Sequence, residues 1–155
     1  MPATPPPRPA GTPVRLVERR LPPDLDEALL ARLVDGFYER VRGDERLGPV
    51  FDAAIPPGAW PAHLARMRAF WGSVALGAGG YDGRPVPKHV GLPGIDDALF
   101  ARWLALFRAT AEDLASAETA EILVEYAERI AHSLRLAVAF AEGRDTVGLE
   151  RLRAG

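Results

Sequence analysis

Residues 24–43 read DLDEALLARLVDGFYERVRG, and the spacing of apolar side chains in this stretch decides the fold class. Leu25, Leu29, Leu33, Phe37 and Val41 recur every fourth residue, with Leu30, Val34 and Tyr38 beside them. At 3.6 residues per turn this gathers one apolar stripe along a helix, and Glu and Arg residues fill the opposite side. Asp24 is placed to cap the first turn and Gly43 to end the last. A helix with such a stripe must bury it against other elements, and the rest of the chain supplies more of the same kind.

Pro61 suits the first turn of a second helix, whose stripe is Trp60, His63 or Leu64, Met67, Phe70, Trp71 and Val74, stopped by Gly77 to Gly80. Asp96 is set to cap a third helix with Phe100, Trp103, Leu104, Phe107 and Leu114 inward. Ser116 is set to cap a fourth, with a stripe of Ile122, Tyr126, Ile130, Leu134 and Val138. Leu47 to Ile55 reads as a short apolar turn region carrying Phe51, closed by Pro56-Pro57-Gly58. No segment sustains the period-2 alternation of a strand, and no internal repeat is visible. The expectation is an all-α domain, either a bundle or a sandwich of helix pairs.

The chain has 155 residues, enough for one domain that buries roughly 70% of its unfolded surface. Eight of the fifteen prolines fall in the first 23 residues, and a run such as Pro5-Pro6-Pro7-Arg8-Pro9 does not pack into a core. Residues 1–22 are therefore expected to form a flexible proline-rich tail, residues 23–143 the helical domain, and residues 144–155 a C-terminal tail. A net charge of -2 from balanced acids and bases argues against nucleic acid or anionic lipid as a partner. The absence of cysteine removes disulfides, thiolate metal sites and cysteine nucleophiles. Nothing approaches the ~20 apolar residues of a membrane span. The longest candidate, Ala69 to Tyr81, is short and glycine-rich. With no apolar leader visible, a cytoplasmic location is expected. Eighteen of nineteen basic residues are arginine, a bias that fits a GC-rich bacterial genome.

Three histidines are the main candidates for chemistry. On pattern alone His63 reads first as a core histidine, and second as a polar group facing an apolar pocket. His89 lies in a connection, Tyr81-Asp82-Gly83-Arg84-Pro85-Val86-Pro87 and onward, closed by Pro93-Gly94, where a surface-loop histidine is the default reading. His132 falls between Ile130 and Leu134, at the edge of the core or facing solvent. Their separations match no short zinc signature, and Ser73, Ser116 and Ser133 lack the sharp turn of a nucleophile. Tyr38 reads by default as a core tyrosine. Phe37, Tyr38, Phe51, Trp60, Phe70, Trp71, Trp103 and Phe107 all fall on inward faces, an aromatic excess that suits a flat apolar ligand.

One ordered set of segments resembles the group III truncated haemoglobins. It begins with Gly36-Phe37-Tyr38-Glu39-Arg40-Val41-Arg42 and Leu47-Gly48-Pro49-Val50-Phe51. Trp60 follows with His63, Met67 and Phe70-Trp71-Gly72-Ser73-Val74, then Leu76-Gly77, Tyr81, Gly83, Pro85, His89 and Leu92-Pro93. It closes with Phe100, Arg102-Trp103-Leu104-Ala105-Leu106-Phe107 and Ala127-Glu128-Arg129-Ile130-Ala131. The similarity runs from about Leu33 to Val138.

The resemblance implies a two-over-two helical sandwich, truncated globin-like, that holds haem b (protoheme IX, iron) and binds dioxygen or another diatomic gas. It implies His89 as the proximal ligand to iron, with Tyr38, His63 and Trp103 lining the distal pocket and Phe51, Met67 and Phe70 forming apolar walls. Arg66, with Lys88 second, is the expected partner of a haem propionate. The alternatives are a haem enzyme, for nitric oxide dioxygenation or peroxidase-like chemistry with a reductase, and a haem-free helical interaction domain.

Overall fold

A computed structural model describes residues 21–77, 95–144 and 146–154. The first helix, α1 (Glu27–Gly43), starts two residues later than Asp24 suggests, because Asp26 is the cap and accepts the Leu29 N–H at 2.8 Å. Asp24 instead crosses to the start of the last helix, where it accepts the Ser116 N–H at 2.8 Å and both the Ser116 and Thr119 hydroxyls. The Ser116 N–H, then the Thr119 hydroxyl, hold its carboxyl below the ordinary range. The expected stripe of α1 is buried along its whole length, from Leu29 to Val41.

The expected turn at Leu47 to Ile55 is a helix, α2 (Leu47–Ala54). Asp44 caps it, accepting the Arg46 and Leu47 N–H groups at 3.0 and 2.9 Å. Pro49 is tolerated there because first-turn N–H groups need no helical partner. Gly48 lets α2 come close to the end of α1, since a Cβ there would lie 2.8 Å from the Arg42 carbonyl oxygen.

A 3-10 turn (Pro57–Ala59) leads into α3 (Trp60–Leu76), which ends at Gly77 with φ 68°, a left-handed conformation suited to glycine. Asp96 and Ser116 cap α4 (Asp97–Leu114) and α5 (Ala117–Ala141) as expected. Leu114, expected inward, is 36% exposed because it closes the last turn of α4, where its side chain covers Gly36 from outside. Thr110 and Ala111 complete the inner face instead.

The expected α5 stripe holds at its C-terminal end, where Leu134 and Val138 are buried, but is rotated in the turns before it. Ala120, Leu123, Val124, Ala127 and Ala131 are buried, while Ile122, Tyr126 and Ile130 flank the seam half-exposed. Small side chains let α4 and α5 approach closely, so the seam is written in alanine and a search for bulky residues passes beside it.

The helices form a two-over-two sandwich. α1 packs on α3 and α4, α4 on α5, and α3 also on α5. Among the described residues no helix is long and apolar enough to cross a membrane.

Residues 146–154 lie along α5. Glu128 accepts the Ala154 N–H at 3.1 Å, and Arg108 donates to the Ala154 carbonyl at 3.0 Å. Arg135, only 4% exposed, donates to the Glu150 carbonyl at 2.8 Å and forks onto both oxygens of Asp97 at 2.9 Å.

Candidate functional site

α1 lies between α3 and α4, so its neighbouring residues Tyr38 and Phe37, turned about 100° apart on the helix, serve two different contacts. Tyr38, 6% exposed, faces the α2–α3 side. Its ring meets His63 edge-on at 5.0 Å between centroids, Phe51 at 5.9 Å and Trp60 at 6.0 Å. Trp60 also meets His63 at 5.6 Å, so the imidazole sits between two rings with its Nε2 shut off from solvent.

Phe37 faces α4, meeting Trp103 at 5.3 Å and Phe107 at 5.4 Å. Trp103 and Phe107, one helical turn apart, stack at 5.9 Å, and Trp71 of α3 stacks on Phe107 at 5.0 Å. Because Phe37 also touches Tyr38 at 5.0 Å, the rings run without a break from His63 to Trp103. Edge-to-face and offset pairs of this kind are each worth about 0.5–1.5 kcal/mol beyond their buried area.

Charged ties frame this cluster. Asp44, buried at the α1–α2 junction, receives Nε and Nη2 of Arg102 at 2.8 and 2.6 Å, fixing α4 one residue before Trp103. The Arg102 guanidinium, together with the Leu47 and Arg46 N–H groups, holds the Asp44 carboxyl below the usual carboxylate range, against the opposing effect of burial. Arg68 pairs with Asp35 at 2.6 Å and ties α3 to α1. The Arg42 guanidinium lies 4.4 Å from the centre of the Trp60 ring.

The structure therefore brings Tyr38, His63 and Phe51 together directly, and joins Trp103 to them through Phe37. Met67 and Phe70 follow His63 at one-turn intervals on α3, half-buried against the core. Arg66 is exposed on the same helix, outside the ring cluster. His89 and Lys88 lie outside the described residues. Among the described residues no group of three or more His, Asp or Glu side chains is placed to hold a metal ion. Sequence reasoning assigned no site role to Phe37, Trp60 or Arg42. The aromatic excess included two of them, but spacing along one helix does not reveal a contact made between helices.

No family model matches the chain. A group 3 truncated haemoglobin of Campylobacter jejuni is 35% identical over 109 residues, which is 69% of this chain and 86% of that protein. The crystal structure of a group III truncated haemoglobin from Campylobacter jejuni superposes with a TM-score of 0.68 at 31% identity, covering 81% of this chain and 96% of that one. On the strength of this identity and coverage, with the helical sandwich and ring cluster already described, the chain belongs to the group III truncated haemoglobins.

Proposed function

We propose that the domain, residues 23–143, binds haem b with His89 as proximal ligand, and holds dioxygen or another diatomic ligand beside Tyr38, His63 and Trp103. The residues present fit such a group. His63, Met67 and Phe70 share one face of α3, which offers a flat porphyrin an apolar wall with a single polar tip. Phe51 extends that wall from α2. Arg66, exposed on α3, suits a propionate at the solvent edge. When bound, the haem would supply an iron able to take up a diatomic ligand.

The chain's own residues do the rest. His89 would hold the iron through one ring nitrogen, and a carbonyl or water would steady the other. Tyr38 and Trp103 supply O–H and N–H donors, and His63 a ring nitrogen, toward a ligand that carries partial negative charge. Apolar rings around these groups keep water away, so each hydrogen bond counts for more than it would in solvent. The observation that carries the reading is the contact of buried Tyr38 with half-buried His63, 5.0 Å between rings, joined through Phe37 to Trp103. No helix among the described residues is built to cross a membrane, and a cysteine-free chain fits a reducing bacterial cytoplasm.

Purified protein is expected to show a strong Soret band, and His89→Ala to lose it or to hold haem weakly. A colourless protein that gives no ligated spectrum on addition of stoichiometric haem would refute the proposal.

A further inference from the structure

We infer that a surface cavity of about 530 Å3 beside Tyr38 and Trp60 is the entrance by which small uncharged ligands reach the Tyr38–His63 pair, with Arg42 as its latch. The inference rests on the reading of that pair as the ligand-facing side of a haem pocket. Tyr38 and Trp60 both line the cavity, and both also touch the His63 ring, at 5.0 and 5.6 Å. These two rings therefore stand between the cavity and the imidazole. Their own centroids are 6.0 Å apart in edge contact, so a diatomic passes only when one ring turns.

Tyr38 is held by Phe37, Phe51, Trp60 and His63 together. Trp60 is the ring with a releasable neighbour. Its face is covered by the guanidinium of Arg42, an exposed side chain in the last turn of α1. A cation over an indole at the surface is a weak contact, and exposed side chains change rotamer in picoseconds to nanoseconds, so this latch opens often.

The cavity walls add selectivity. Asp35, Glu39 and Asp52 all line it, and Arg68 offsets the first of these. With Arg42 the one cation among the described residues that line it, this lining carries net negative charge. Anions are repelled there, while dioxygen, carbon monoxide and nitric oxide are not.

The test uses carbon monoxide rebinding after flash photolysis of the haem-loaded protein. Arg42→Gln is expected to raise the association rate about two- to fivefold, the factor that corresponds to a surface cation–π contact. The same variant should speed solvent exchange of the Trp60 indole N–H, read by NMR with no gas present. Asp52→Trp, which fills the cavity from the exposed face of α2, is expected to slow association about tenfold with an unchanged Soret spectrum. Azide association should rise with ionic strength while carbon monoxide association does not.

With haem uptake normal, an unchanged association rate in either variant overturns the entrance and leaves the haem reading standing. Failure to take up haem refutes the parent reading before any rate is measured, and the entrance falls with it.

Discussion

Asp44 concentrates more structural duties in one side chain than any other residue of the site, so replacing it tests how the site is framed. One carboxylate oxygen caps α2 through the Arg46 and Leu47 N–H groups, and the other binds Arg102 of α4 through two nitrogens. Asp44→Asn keeps an acceptor for the cap but removes the charge facing Arg102. Because the Arg102 side chain is 49% exposed, water replaces much of the lost attraction, and about 1 kcal/mol is expected to go. Asp44→Ala removes the cap as well. Loss of an N-terminal cap costs about 0.5–2 kcal/mol, and a buried N–H left without an acceptor about 1–3 kcal/mol. These overlap, because the Leu47 N–H is counted in both, so a total of about 2–4 kcal/mol is expected for the alanine variant.

The assay is urea unfolding followed by helical circular dichroism, with the haem content of the proteins matched, since bound ligand itself stabilises the native state. The pH dependence has a definite sign. The Asp44 carboxyl is held below its ordinary value, so its contribution is fully present above the unfolded-state value near 4 and is lost as pH falls through the lower folded value. The gap between wild type and Asp44→Asn should therefore be full at pH 7 and close on strong acidification. Equal losses in the asparagine and alanine variants, or no loss in the alanine variant, would show that the cap contributes nothing and refute the reasoning.

Two further outcomes are expected. Tyr38→Phe should raise the dioxygen dissociation rate about tenfold or more, as loss of one hydrogen bond in a dry pocket implies, and stopped-flow displacement by carbon monoxide reads it. Arg135→Met should lower stability by about 2–3 kcal/mol, because the buried stem still packs while the fork onto Asp97 and the bond to Glu150 are lost. Asp97 is held low chiefly by that arginine, so its share of the stability vanishes on acidification in the wild type and should already be missing in Arg135→Met.

The sequence carried the long helices because their evidence is local. The α1 stripe, the Asp96 and Ser116 caps and the Gly77 stop are each decided within a turn or two of chain. It carried α2 badly. An eight-residue helix shows too few turns for a period to register, and its signal was the cap at Asp44 with Pro49 in the first turn. The first part of the α5 seam was misread for another reason: Ala120, Ala127 and Ala131 are buried there while the bulky Ile122, Tyr126 and Ile130 lie to either side, and only Leu134 and Val138 of the expected stripe are buried. The proposed roles of Tyr38, His63 and Trp103 rest on resemblance to a family, whereas periodicity described them first as core residues.

By itself, then, the stretch from Asp24 to Gly43 determined that the chain is helical and which side of its first helix is buried, because backbone hydrogen bonding and side-chain period are properties of neighbours. Tertiary structure alone decided that Asp24 reaches the far helix while Asp26 caps its own, that Phe37 links Tyr38 to Trp103, and that Arg42 covers Trp60. Each of these joins elements distant along the chain, and only the packing of one helix pair over the other brings them within reach.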